Sequence, residues 1–314
     1  MINILKFFII LFIIVNSFFA SYADDKIAVV IPMTHRSMDE IVRGIKDNHK
    51  INSDKIMIFN AIGDTNNLYA IINQIEQNPN YKAIMPIGTT ATYISMNSIK
   101  DKYIVSLASI IDENTRQQLI IDGHTNITNI YDAVTADKIL EFISAIKKRN
   151  ILLVYSNDQR IIDEAKQLEI LQDKFNIKIH KFNITHSTDI YSINSAMSNI
   201  DCILLLKDHL VVSMINVITN TAHEANIPVI ASDEGSIIHG ADIGLGIPEY
   251  QIGFIGAEVL KDVLDGKKLV DIPVRVLDQI NIFYNQNSRI DVNLLQSVSK
   301  SLGYNLQAIN SDSH

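Results

Sequence analysis

The sequence predicts an α/β protein in which parallel sheets are covered by helices, built in two successive rounds. Short apolar runs such as Ile27–Ile31, Ile151–Tyr155 and Cys202–Leu206 recur, bounded by Pro, Asp, Asn or Gly. Such runs read as strands buried on both faces of a parallel sheet. Stretches with apolar residues at helical spacing alternate with them. The alternation restarts near residue 150, and rounds of about 100–130 residues suit two ordinary domains.

In the first round the strands are expected near Ile27–Ile31, Ile56–Phe59, Ala83–Ile87 and Ile104–Ala108, with helices over Met38–Asp47, Asn67–Gln77 and Thr90–Ile99. Ser37-x-x-Glu40 fits a capping box, and Met38, Ile41, Val42 and Ile45 form one apolar face. Leu68, Ile71, Ile72 and Ile75 do the same for the second helix. The second round reads strand Ile151–Tyr155, helix Gln159–Phe175, strand Lys178–Phe182, and a helix capped by Ser187 and running to Asn199. Strand Cys202–Leu206, a helix over Leu210–Ala225 and strand Ile227–Ala231 follow, then a short strand around Asp242–Leu245. The end differs: a helix Tyr250–Leu264 stopped by Asp265-Gly266, a mostly extended Ile272–Asn285, and a helix Val292–Leu302 stopped by Gly303.

Met1–Ala23 carries one early positive charge at Lys6, an apolar stretch Phe7–Ala20 and small residues at Ser21 and Ala23. This is the pattern of a secretory signal cleaved after Ala23, and the stretch, about 20 Å as a helix, falls short of a bilayer core of about 30 Å. No Cys follows it, which argues against a lipid anchor. The expectation is a soluble, periplasmic product. The one cysteine, Cys202, lies in an apolar run and reads as a buried thiol. Beyond residue 23 the chain holds 26 basic against 35 acidic residues, a net −9. Its basic clusters, Lys147-Lys148-Arg149 and Lys267-Lys268, read as helix ends, so nucleic acid is not an expected partner.

Polar turns follow the strands: Met33–Arg36, Asn60–Asp64, Gly88–Thr90 and Ser109–Glu113 in the first round, Ser156–Asp158, Lys207–His209 and Ser232–Ser236 in the second. Strand carboxyl ends are where open α/β sheets bind ligands, and the two sets would face each other across a cleft. Gly88-Thr89-Thr90 has a backbone-permissive Gly before a helix start, which suits a carboxylate; the alternative is that Thr89 only caps the helix. Asp208 and Asp233 are candidate acceptors for an ammonium group, or caps of the next helices. His35 is a candidate proton donor, a candidate metal ligand or a surface turn residue. No His pair has metal-helix spacing, and no nucleophile elbow, phosphate loop or dinucleotide fingerprint occurs, so neither a metal, a cofactor nor a catalytic residue is expected.

Ile227-Pro228-Val229, Ala231-Ser232-Asp233, Gly240-Ala241 and Gly246…Tyr250…Gly253 resemble, in that order, the ABC transporter substrate-binding proteins of the type that take up aromatic amino acids. His35-x-x-Met38-Asp39, Gly63-Asp64, Gly88-Thr89, Asn126-x-Thr128 and Asp208 also correspond. The resemblance covers nearly all of residues 26–306. It implies a type I periplasmic-binding-protein fold, two Rossmann-like lobes joined by a three-strand hinge. By that analogy lobe 1 is 24–133 and 248–278, lobe 2 is 134–247 and 279–309, and 310–314 is a disordered tail. The implied ligand contacts are His35, Met38, Asp39, Gly88, Thr89, Thr90, Tyr155, Asn157, Asp208, Ser232, Asp233 and Tyr250. The sequence departs from the family in four places. Glu249 replaces the first of two adjacent tyrosines, and Asn157 is shifted by Ser156. Asn129 stands for a turn Gly, as a left-handed turn tolerates, and Asp112-Glu113 lacks the usual Pro. The implied role is a non-enzymatic, monomeric binding component of an importer. It would capture a small zwitterion by lobe closure and present it to a membrane permease. An exported sensor ectodomain and an exported enzyme are the alternatives.

Overall fold

The computed structural model describes residues 26–310 apart from Ile110, Asp112, Asp132 and Arg289. The expected leader, residues 311–314 of the expected tail, and Asp112 lie outside the described residues. The chain groups into two compact units, 26–34, 45–129 and 256–274 in one, and 35–44, 130–255 and 275–310 in the other.

The first sheet runs β11-β5-β4-β3-β1-β2, from β1 (Lys26–Ile31), β2 (Ile56–Asn60), β3 (Tyr81–Pro86), β4 (Tyr103–Leu107), β5 (Ile127–Tyr131) and the short β11 (Arg275–Val276). Its recorded pairs are all parallel. Helices α1 (Arg36–Asp47), α2 (Thr65–Gln77), α3 (Thr89–Ser98) and α4 (Glu113–Ile121) connect the strands. Ala28, Val30, Ile84 and Ile104 from the strands meet Leu68, Ile72, Ile75 and Ile94 from α2 and α3 in one core. These are the residues whose helical or alternating spacing marks an inward face.

The second sheet runs β13-β12-β10-β9-β8-β6-β7. Its strands are β6 (Asn150–Ser156), β7 (Lys178–Ile184), β8 (Cys202–Leu205), β9 (Val229–Ala231), β10 (Ile243–Gly246), β12 (Asn281–Asn285) and β13 (Asn305–Ile309). Among the described residues, the one antiparallel pair in this sheet is β10 with β12. The helices that follow along the chain are α5 (Ala136–Ala145), α6 (Gln159–Leu171), α7 (His209–Ser213), α8 (Ile215–Glu224), α9 (Gly235–Ile238), α10 (Glu249–Leu264), whose residues from 256 on belong to the first unit, and α11 (Val292–Leu302). Leu152, Ile203, Leu205 and Val229 form a core with Ile215, Ile218 and Ala222 of α8. Cys202 is fully buried, and burial pushes its thiol up to about 12, so it stays protonated and inert.

Several local expectations are corrected. Helix α1 begins at Arg36, because the His35 carbonyl accepts from the Met38 and Asp39 N–H groups and His35 Nδ1 accepts from Ser37 N at 3.2 Å. His35, not Ser37, therefore caps it. The segment after β7 is a 3₁₀ run, Ser187–Ala196, capped by His186. There the Asp189 carboxylate takes the N–H groups of Thr185 and His186. The single helix expected over Leu210–Ala225 is broken into α7 and α8 at Met214. Asn129 lies in β5 and not in a left-handed turn, its amide held in the sheet by the carbonyl of Ile111 at 2.7 Å. A further strand, β13, follows Gly303.

Candidate functional site

From β1 the chain first builds β2 on one side and then β3 on the other, so the winding reverses between β1 and β3. Such a reversal leaves a crevice at the strand carboxyl ends, the preferred ligand position of open α/β sheets. The turn leaving β3 there is Gly88-Thr89-Thr90. Gly88 has φ 84° and ψ 161°, a conformation essentially reserved for glycine. A Cβ on it would meet nothing within 4 Å, so the turn borders open space. Helix α3 starts next, with no side-chain cap. Among the described residues, no hydrogen bond involves the side chain of half-buried Thr89 or exposed Thr90. The first-turn N–H groups and two hydroxyls are thus donors available to an anion.

Behind this turn runs a buried hydroxyl chain. Thr92 Oγ1 lies 2.8 Å from the Gly88 carbonyl and 2.7 Å from Ser106 Oγ, which lies 2.7 Å from Ser109 Oγ. Ser109 Oγ donates to Asn129 Oδ1 at 2.5 Å. The Gly88 carbonyl and Asn129 Oδ1 can only accept, so Thr92 donates to the first and Ser109 to the second, and only the Ser106 hydrogen has a choice, between Thr92 and Ser109. The effect is to tie the Gly88 carbonyl to β4 and β5.

The equivalent reversal in the second sheet lies between β6 and β8, and Asp208 occupies it. This carboxylate is 2% exposed. Its Oδ2 accepts from Ser156 N at 2.6 Å, joining the ends of β6 and β8, and its Oδ1 accepts from Leu210 N at 3.0 Å and Val211 N at 3.3 Å. That is the capping alternative for Asp208. Asn157 is exposed on the neighbouring turn, and half-buried Tyr155 stands at the end of β6.

After β9, Ser232 is buried and Asp233 is half-buried. Asp233 accepts from Ser236 N at 2.8 Å and from Ser236 Oγ at 2.7 Å. Gly235 permits a close approach here: a Cβ would fall 2.8 Å from Ser37 Oγ and 3.3 Å from both Asp233 Oδ1 and His35 Cε1. His35 and Asp233 are thereby brought together, and the His35 ring stands 5.9 Å from that of His239. Burial and the His239 charge hold the His35 pKa down, against the opposing pull of Asp233 and Asp39. Met38 is half-buried and Asp39 exposed. Tyr250 stacks on Phe254 and lies under the Arg43 guanidinium at 4.9 Å.

An acidic pair that the sequence reading left without a role completes this group. Glu249, 7% exposed, is pushed up to about 8 by burial and by Glu234 and Asp233, against Lys207 and a hydrogen bond from the Ser37 hydroxyl. Burial also raises Glu234, whose carboxylate accepts from the Glu249 N–H. A carboxylate at the residue opening α10 was the available signal for this pair. The described residues contain no group of three or more His, Cys, Asp or Glu able to hold a metal, and no helix long and apolar enough to cross a membrane.

The family profile described as ABC transporter substrate binding protein matches residues 26–302. An uncharacterized protein of Rickettsia prowazekii (strain Madrid E) is 34% identical over 298 residues, 95% of each chain. A tyrosine-binding protein of Clostridioides difficile (strain R20291) is 28% identical over 254 residues, 78% of this chain and 72% of that one. The solved ABC domain in complex with L-Trp from Streptococcus pneumonia superposes with a TM-score of 0.71 at 20% identity, covering 91% of this chain and 100% of the other.

Proposed function

Starting from the fact that this chain belongs to the ABC transporter substrate-binding protein family, we propose that it is the exported binding component of an importer, capturing a small zwitterionic amino acid, aromatic ones favoured. The uncapped helix start at Gly88-Thr89-Thr90, placed where the first sheet reverses, carries this reading. Its open N–H groups suit the ligand carboxylate. Asp233, half-buried and accessible, is the acceptor for the ammonium group. His35, Tyr155 and Tyr250 supply rings for the side chain. The tyrosine-binding relative and the L-Trp complex support an aromatic amino acid as the first ligand to try. Lobe closure on the ligand, delivery to a membrane permease, and export with cleavage after Ala23 complete the proposal.

A thermal-shift screen tests it. A ligand at 100 times its dissociation constant adds about 2.7 kcal/mol of stability. Tryptophan, tyrosine or phenylalanine is expected to raise the melting temperature, and sugars and nucleosides to leave it unchanged; the reverse pattern rejects the assignment. Intact mass of the exported product checks the leader: loss of residues 1–23 is expected, and a mass retaining them contradicts export with cleavage.

A further inference from the structure

At the amino-terminal end of the second sheet, opposite the end that bears Asp208 and Asp233, the structure contains a cavity of about 550 Å³. It lies between the last turn of α8, the starts of β9 and β10, and the first turn of α11. Its volume is that of pockets that hold small organic ligands. Ile230, Ile243, Leu294 and Leu295 supply apolar walls.

The polar groups are unequally committed. Asp242 Oδ2 accepts from Val229 N at 2.8 Å and pairs with His223 Nε2 at 3.0 Å, while the Asp242 carbonyl accepts from Asn285 N. This knot ties α8, β9 and β12 together and makes a fixed floor. Asp291 is engaged in capping α11, taking the N–H groups of Asn293 and Leu294. Lys148 differs. It is half-buried on the cavity wall, feels the field of Asp201, and among the described residues its ammonium has no hydrogen bond or ion pair. Among the described residues, apolar walls and the unpaired ammonium of Lys148 define the complementary ligand: an apolar body ending in an anion.

We propose that this cavity is a second small-molecule site, taking an amphipathic carboxylate with its apolar body against Ile230, Ile243 and Leu294 and its carboxylate on Lys148. The site shares no residue with the carboxyl-end turns, so it stands or falls independently of the amino-acid reading.

Calorimetry on the full purified protein with octanoate below its micelle concentration tests it, with octylammonium as the charge-reversed probe. Saturable binding of one octanoate per chain is expected, weakened about ten-fold or more in Lys148→Gln. Leu294→Trp, which fills the cavity, is expected to abolish it. Lys268→Gln, removing an exposed lysine of the other unit, should leave it unchanged. Three results would overturn the proposal: no saturable octanoate binding by the unaltered protein, an unchanged affinity in a folded Lys148→Gln, or octylammonium binding as tightly as octanoate.

Discussion

The turn at Gly88 and the turn at Asp208 each stand where a parallel sheet reverses its winding, one beside β1 and β3, the other beside β6 and β8. At Asp208 a buried carboxylate takes three backbone N–H groups, so strand ends and helix start are satisfied from within. At Gly88 no side chain caps the helix, and the space beside the glycine is open. Orphan N–H groups at a helix start need some partner, and a turn that supplies none internally leaves that position to water or to a ligand. Equivalent topology therefore carries two different tasks: holding the fold together at Asp208, and offering donors at Gly88.

The largest effect expected from this contrast is in stability. Asp208→Ala removes the acceptor of three backbone N–H groups, and should cost about 3 kcal/mol in urea unfolding. An unchanged unfolding midpoint would mean that the turn does not carry the load assigned to it. Gly88→Ala comes next. The φ of 84° is strained for any residue with a Cβ, so about 2 kcal/mol of stability should be lost along with ligand affinity. Thr90→Ala, at an exposed residue, should stay within about 0.5 kcal/mol in stability. Its amino-acid affinity should nonetheless fall about ten-fold, as for a lost hydrogen bond to a charged group. A stability loss without an affinity loss in Thr90→Ala would make this turn resemble the one at Asp208.

A smaller effect concerns pH at the third turn, where α10 opens. The Glu249 carboxyl titrates near 8 when folded, above its ordinary range. Its protonated form is the one the folded state favours, so its contribution is full at acid pH and is lost as pH rises through about 8. Glu249→Gln should therefore flatten the fall in stability between about pH 5 and 8. An identical pH profile for the variant and the parent would show that the carboxyl is charged and paired in the folded protein.

Much of the architecture is legible in the sequence because buried parallel strands and amphipathic helices leave periodic apolar patterns, as in Ile151–Tyr155 and in Leu68, Ile72 and Ile75. Helix α4 is not, because its one fully buried side chain is Arg116, held by the carbonyls of Leu269, Val270 and Ile272. A polar inward residue erases the apolar period. Strand β5 is masked in the same way by Thr128 and Asn129, which are buried but satisfied by hydrogen bonds. At the candidate site the strand-end turns could be located from sequence, but their division of labour could not. Asp208 and Asp233 read alike as residues after strands, and only tertiary partners separate the fully enclosed carboxylate from the accessible one. The His35 cap was hidden because an imidazole acceptor competes with the nearby capping-box pattern at Ser37.

We propose that the open turn at Gly88 grips the carboxylate of an amino acid. Calorimetry with whichever of tryptophan, tyrosine or phenylalanine binds best, set against the same molecule lacking its carboxylate, tests this most directly. The amine keeps the ring and the ammonium group, so only the contact with the N–H groups of Thr89 and Thr90 is lost. Removing one partner of a desolvated, hydrogen-bonded charge costs roughly 2–5 kcal/mol, which predicts a weakening of about 30-fold or more. Equal affinity for the amino acid and its amine would mean that the turn at Gly88 does not hold the carboxylate.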